Sequence, residues 1–388
     1  MRTDRTLFYV CTILITIGVV FSLSLTAFTV LAYDYDHLHF FIRQFGVGVI
    51  GVFLMWSISM LNPDKILTFI GLFLFLTMFV VMITMPFLPP SIVKEVNGAN
   101  RWIRFPGISF APVEFFKIGF IYFLAWSFTR KIDDTKKSFW TEVFILFPYT
   151  IVFSFIIYII AFLQNDLGQI FVLSLVLLMM VIFAGTSFKI LGSGAMLLVV
   201  AVFLVITMSE HRIRRVYSWW AGIQDIVLSF LPSDIAQKLH IEGAQTPYQI
   251  SHSLNAINNG GFFGQGLGMG TFKLGFLSEV HTDFVLAGIA EEAGFFMLVV
   301  IVGLFFTLLY RIFKISSRAK NNVYYLFSLG IGFMFLFSFM VNSYGITSLT
   351  PVKGLAVPFI SYGGSQLLAA CFAIGLVLMV SKKSKLEG

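Results

Sequence analysis

Residues 66–88 read ILTFIGLFLFLTMFVVMITMPFL, an apolar run without one charged side chain. An α-helix rises about 1.5 Å per residue, so roughly 20 apolar residues match the ~30 Å of hydrocarbon in a bilayer. The run is long enough to cross a membrane, and similar runs recur on both sides of it. Together they place helices at about 7–32, 40–61, 66–88, 112–128, 142–163, 170–185, 188–208, 284–310, 323–345 and 367–380. The expected fold is therefore an all-α polytopic membrane protein. It has about ten transmembrane helices in one domain over residues 1–388, with a large extracytoplasmic loop, 209–283, between helices 7 and 8.

Composition points the same way. The chain is 58% hydrophobic and 12% charged, about half the charged fraction of a soluble protein. A net charge of +7 would suit nucleic acid, but the basic residues fall in short clusters between apolar runs. That is the pattern of membrane topology, and no nucleic-acid partner is expected. Cys11 and Cys371 lie inside apolar segments and show neither a disulfide framework nor metal-ligand spacing. The basic start Met1-Arg2-Thr3-Asp4-Arg5 precedes an apolar run, Leu7 to Ala32, too long for a signal peptide, so it reads as an uncleaved first span.

An even number of spans puts both termini on one side. With that side cytoplasmic, about 15 of the 26 Lys and Arg are inside, chiefly Arg130, Lys131, Lys136, Lys137, Arg311, Lys314, Arg318, Lys320, Lys382, Lys383 and Lys385. The expected location is the cytoplasmic (inner) membrane, with both termini in the cytoplasm. Among the loops that then face outward are Ser91 to Ala111, Ser209 to Asp283, and Ile346 to Gln366. The second is far longer than an ordinary connection, a mark of function. It holds Trp219, Trp220 and an amphipathic stretch, Ile223 to Leu239, expected to lie on the membrane surface.

A charged residue at the centre of a span costs roughly 2.5–3.5 kcal/mol on insertion scales and calls for an explanation. Glu114 and Lys117 are three apart on one helix face and can pair; Arg43 with Gln44, Asp166, and the adjacent Glu291 and Glu292 are the others. Structural ion pairing and a polar cavity are both open readings.

The densest polar cluster runs from Thr246 to Gly294 and contains Gly260, Gly261, Gly264, Gly266, Gly268 and Gly270. Such a series disfavours helix and lets backbone amides approach an anionic or sugar ligand; a turn-rich loop is the plainer explanation. No P-loop signature is present, so nucleotide hydrolysis is not supported. Asp283 follows His281 and Thr282 at the start of the eighth span. There it could cap the helix. It could also be a general base at the water–lipid boundary, beside Arg212, Arg214 and Arg215, whose guanidinium groups suit phosphate oxygens. Arg101-Trp102 is either an interfacial anchor or the lining of a headgroup or sugar site.

At these residues the chain resembles the SEDS family, the shape, elongation, division and sporulation proteins represented by FtsW, RodA and SpoVE. The resemblance covers nearly the whole chain. It rests on NGANRWI at 97–103, APVEFFK at 111–117, LQNDLG at 163–168, HTDFVLAGIAEEAG at 281–294 and VPFISYGGSQ at 357–366. Val352-Lys353-Gly354-Leu355 looks more like FtsW, the division member, than RodA. Ala111-Pro112-Val113, Asn165 and Ser278 depart from the family's usual Gln-Pro-Ser, Pro and Pro, and leave the charged positions intact.

The resemblance implies a ten-helix bundle and an inverting peptidoglycan glycosyltransferase that polymerises lipid II, releasing the lipid pyrophosphate. The family's essential extracytoplasmic aspartate falls on Asp283 and its important tryptophan on Trp102. On this reading Asp283 is the catalytic base. Arg101, Arg212 or Arg215 holds pyrophosphate, and Glu114, Lys117 and Asp166 shape the lipid-proximal site, with Trp102 and His281 beside the substrate. A carboxylate of pKa about 3.9 is a weak base, so partial burial or a bound divalent cation, Mg or Mn, would help it. No other cofactor is implied. Cross-linking is expected from a partner, a class B penicillin-binding protein such as FtsI. The rival expectations are a lipid II flippase, since charged residues in a bundle suit a carrier, and a non-catalytic scaffold for a transpeptidase.

Overall fold

The computed structural model describes residues 3–93, 100–105, 108–132, 138–241, 247–352 and 354–384. Outside them lie Asn97, Gly98 and Ala99 of the first family motif, Lys136, Lys137, Thr246, Lys353 and Lys385.

The described chain is almost entirely helical. α1 (Arg5–Leu25) is followed, past a break at Thr26, by the short α2 (Ala27–Ala32), so the first expected span is two helices. α3 (His39–Met60) and α4 (Pro63–Thr84) come next. A hairpin, β1 (Ile103–Phe105) against β2 (Ile108–Phe110), then leads into α5 (Pro112–Lys131). α6 (Phe139–Tyr158) ends in a π-helical turn (Ile159–Leu163), followed by α7 (Leu167–Phe183) and α8 (Phe188–Thr207). The long segment between α8 and the next span carries three helices: α9 (Glu210–Leu228), α10 (Ser233–Leu239) and α11 (Tyr248–Gly260). The bundle closes with α12 (Val285–Ser317), α13 (Asn322–Ile346) and α14 (Gly364–Ser381).

Each of the ten expected spans meets a helix. Among the described residues, eight helical stretches are long and apolar enough to cross a membrane, and the chain is a multi-pass membrane protein. The two spans outside that eight are the 17-residue α7 and α5, which carries Glu114 and Lys117. Both pack inside the bundle, against each other and against α13. Polar side chains in a membrane protein belong in such interior positions.

Both ends of the described chain lie on one face. Asp4 caps α1 through Leu7 N at 3.0 Å and pairs with Arg311 at the end of α12, while its own amide donates to Ser381 at the end of α14. Lys383 pairs with Asp64 at the start of α4 at 2.7 Å. Helix packing is close: a side chain on Gly119 of α5 would collide with the Phe75 backbone of α4. Lipid supplies no hydrophobic drive between helices, so small residues that admit this approach do the work of association.

α12 is broken at Gly294, whose φ of 73° is left-handed and suits glycine. In an unbroken helix Phe295 N and Phe296 N would donate to Glu291 O and Glu292 O. Here they donate to Gly261 O and Phe262 O at 2.9 and 3.0 Å, while Gln265 N and Gly266 N donate to the freed Glu291 O and Glu292 O, both at 2.9 Å. The glycine-rich loop thus supplies partners for both displaced amides and both freed carbonyls.

The amphipathic stretch also differs from expectation. It begins at Glu210 rather than Ile223 and is cut between α9 and α10 at Pro232, which lacks an N–H to continue a helix. Trp219 donates to Ser348 O at 2.8 Å and Trp220 to Leu239 O at 2.9 Å, so both indoles are tied to protein.

Candidate active site at the start of α12

Asp283 does not cap α12. The residue flanking the helix is Phe284, and no side chain accepts from the first amides. What fixes Asp283 is its backbone. The Asn342 amide on α13 donates to Asp283 O and to Leu355 O, both at 2.6 Å. Ser361 donates to Thr282 O at 2.6 Å while accepting from Val357 N at 2.8 Å, and Tyr362 N donates to His281 O at 2.9 Å. Gln44 holds the same segment from α3 through Ser361 O, at 3.3 Å, and Gly363 N, at 3.4 Å. Ser365 ties it to the hairpin, donating to Ser109 O and accepting from Ala111 N. The stretch 357–366 is therefore the frame that holds residues 281–283.

Asp283 lines a small pocket together with Asn342, Gly345, Ile346, Gly354 and Leu355. Gly354, with φ 63°, lets the backbone close on the carboxylate: a Cβ there would sit 3.1 Å from Asp283 Oδ2. Burial pushes the Asp283 carboxyl up to about 7 from its usual range; Glu279 adds to the rise, Arg101 opposes it and Asp166 adds again. His281 packs against Phe40 and Tyr362, with ring centroids 5.9 and 5.8 Å away, and burial lowers its pKa against the opposing Glu279.

Arg101 stands over Trp102 at 4.8 Å and pairs with Asp166 at 3.0 Å. Asp166 also caps α7 through Gln169 N at 3.4 Å. Gln169 in turn donates to Glu114 at 2.8 Å and accepts from Lys117 at 2.8 Å, and Lys117 pairs with Glu114 at 2.8 Å. The expected i,i+3 pair is thus one side of a closed triangle. Glu114 and Lys117 line a second cavity of about 300 Å³ with Ser338, Pro358, Gln366 and Ala369. One polar chain runs from Arg101 to this cavity, joining four of the expected site residues, Arg101, Asp166, Glu114 and Lys117, through Gln169.

The α9 arginines are placed differently. Arg212 donates to Val205 O and Ala161 O, both at 2.9 Å, and to Asn165 at 3.2 Å, so it fastens α9 to the π-helical turn. Arg214 forms an exposed pair with Glu210, and Arg215 is exposed on the same helix. Arg101 is the arginine whose charge reaches Asp283. The adjacent glutamates are structural: Glu291 accepts from Thr271 N, Phe272 N and Asn259, and Glu292 pairs with Lys273 at 2.6 Å. The amides of Thr271 and Phe272, which follow the glycine series, are thereby engaged by the protein itself. Gln169, Lys273, Asn342 and Ser361 are the site and support residues that sequence reading misses. Gln169, three residues after Asp166, and Asn342, polar within an apolar run, carried some signal. Among the described residues no group of three or more His, Cys, Asp or Glu could hold a metal ion.

Fold and site together define a multi-pass membrane protein whose polar machinery lies at, and just inside, the face opposite its termini. The family described as Cell cycle protein, FtsW/RodA/SpoVE, matches residues 4–386, and the chain belongs to that family. A Helicobacter pylori protein named "Probable peptidoglycan glycosyltransferase FtsW" is 47% identical, covering 99% of this chain and 100% of that one. A Trichlorobacter lovleyi protein of the same name is 39% identical over 76% of this chain and 72% of its own length. The fold is similar to a solved chain described as "Structural coordination of polymerization and crosslinking by a peptidoglycan synthase complex", with TM-score 0.71, 23% identity and 99% of each chain covered. It is similar also to the rod shape determining protein RodA of Thermus thermophilus, with TM-score 0.64, 22% identity, and 99% of this chain and 98% of that one covered.

The Glu114–Lys117–Gln169 triangle makes a stability prediction. Glu114→Ala leaves a buried ammonium without its counter-charge and is expected to cost about 3–5 kcal/mol, lowering Tm in detergent. Adding Lys117→Met removes the stranded charge and is expected to recover most of the loss. Equal Tm values for the single variant and the parent would contradict the assignment.

Proposed function

We propose that this chain is a peptidoglycan glycosyltransferase that polymerises lipid II, with Asp283 as general base, at the outer face of the cytoplasmic membrane. The observation that carries the reading is the Asp283 carboxylate, its pKa raised to about 7 at the wall of a small pocket and within reach of one arginine's charge. Names shared by the relatives support the activity, and FtsW among them favours a role in division.

The donor sugar is already activated by its lipid pyrophosphate, so no nucleotide is needed. The 4-hydroxyl of the acceptor sugar attacks the anomeric carbon from the side opposite the pyrophosphate, with inversion. One C–O bond forms as the anomeric C–O bond to phosphate breaks, and the hydroxyl proton passes to Asp283. A base with a pKa near ambient pH is both ionised in useful amount and strong enough to take that proton. Arg101, near Asp283 and steadied by Asp166 and Trp102, is placed to meet the charge that gathers on the leaving pyrophosphate. The Glu114–Lys117 cavity gives a polar floor beneath the lipid-proximal end. A class B penicillin-binding protein such as FtsI is the proposed transpeptidase partner, in keeping with the similar chain described as part of a synthase complex.

The orientation rests on charge. Arg311, Lys314, Lys382, Lys383, Arg130 and Lys131 stand at the helix ends on the terminal face, which the positive-inside rule makes cytoplasmic. Leu349 is exposed near the opposite face, and the two native cysteines are buried. Leu349→Cys should therefore react with a membrane-impermeant thiol reagent in intact spheroplasts; reaction only after lysis would reverse the topology.

Purified protein given lipid II in detergent, with no second compartment, should form glycan polymer, and Asp283→Asn should lower kcat/KM by about 10²–10⁴-fold. Because the base acts ionised, kcat/KM should rise with pH through about 7 and then level. Glu279→Gln, which removes an influence that raises the Asp283 pKa, should move that rise to lower pH. Full polymerisation by Asp283→Asn would sink the assignment.

A further inference from the structure

Asn342, on the last turns of α13, is 5% exposed and lines the Asp283 pocket. A side-chain amide has two N–H donors on one end and an acceptor oxygen on the other. Both donors of Asn342 are used on backbone carbonyls, Asp283 O and Leu355 O, each at 2.6 Å. Carbonyls only accept, so the amide nitrogen must face them and the amide cannot be turned over. Its oxygen is thereby directed away from both. That oxygen is buried and finds no partner among the described residues. A buried acceptor without a donor is unfavourable, and buried polar atoms left in this state call for a partner.

Asp283 and Asn342, each carrying an acceptor oxygen, line one small pocket, and a ligand that opens it to reach both must bring donors. The reacting hydroxyl has a single proton, and Asp283 takes it. A second acceptor therefore needs a second donor. A pyranose supplies one close by, either the hydroxyl on the neighbouring ring carbon or the hydroxymethyl group.

Resting on the glycosyltransferase reading, we propose that Asn342 Oδ1 is a binding contact for the acceptor sugar, accepting a hydrogen bond from a hydroxyl other than the one that reacts. The same amide then holds the base's backbone with one end and the nucleophile's sugar with the other. Two-point contact fixes the rotation of the sugar and aims the reacting hydroxyl, the kind of orientation that speeds attack. It also makes the pocket selective, because a site built around a hydroxyl rejects the analogue lacking it.

The test is a cycle between protein and substrate. Wild type and Asn342→Ala are assayed in detergent with lipid II as donor and acceptors whose terminal sugar is intact, 3-deoxy or 6-deoxy, the 4-hydroxyl always kept. One deoxy acceptor should lose about tenfold in kcat/KM with wild type and nothing further with Asn342→Ala, because the contact is already gone. Losses of equal size in both proteins, which a purely structural asparagine or a trapped water would give, overturn the proposal, as does a wild type indifferent to both deoxygenations. If Asn342→Ala fails to fold, Asn342→Ser, which keeps a donor for one carbonyl, takes its place in the same cycle. No polymer from the intact acceptor would count against the glycosyltransferase reading; polymer without coupling counts only against the Asn342 contact.

Discussion

A carboxylate at a membrane edge stays in water unless the chain holds it elsewhere, and at Asp283 the holding is done by backbone. Carbonyls of three successive residues, 281 to 283, accept from Tyr362 N, Ser361 and Asn342. None of these bonds uses the carboxylate itself. It is left without the amide donors of a helix cap, which would have stabilised its charge and kept its pKa low. Burial then acts nearly unopposed, and Glu279 reinforces it against Arg101. The same frame that fixes the aspartate in space therefore sets its proton affinity.

The lipid environment explains why so much of the remaining polar structure is closed on itself. In hydrocarbon each unsatisfied backbone group costs several kcal/mol, so a helix can break only where another segment takes over its bonds. The loop from Gly261 to Gly266 does this at Gly294, and Glu291 and Glu292 pin the loop's other side through Thr271, Phe272 and Lys273. Charges that look costly in the sequence are thus matched: Glu291 by amides, Glu292 by Lys273 and Ser24, Glu114 by Lys117 and Gln169. Asp283 stands apart from these pairs in having its charge influenced at a distance rather than neutralised by contact.

What the sequence makes legible follows the range of the interactions. Ten apolar runs locate the helices because a span must satisfy its own backbone within one segment, a local requirement that periodicity and length express. Glu114 and Lys117 are legible as a pair because they are three residues apart on one helix. The Arg101–Asp166 pair joins residues 65 positions apart, and nothing local announces it. The break at Gly294 depends on a loop some thirty residues earlier, so a continuous eighth span is the natural expectation. Arg212 illustrates the opposite error: proximity to the outer loop suggests phosphate binding, while its guanidinium is taken up by Ala161 O and Val205 O. Position 283 itself is found through family resemblance. Spacing alone favours a cap, since it reveals that an acid precedes a helix and not which way its side chain turns.

The proposed chemistry turns on the proton affinity of the Asp283 side chain. Carbon-13 NMR of aspartate carboxyls in the detergent-solubilised protein, with the Asp283 signal identified by its absence in Asp283→Asn, measures that affinity without turnover or substrate. The expected titration midpoint is about 7. A midpoint in the ordinary aspartate range, about 3.9, would show a solvated carboxylate and contradict that chemistry.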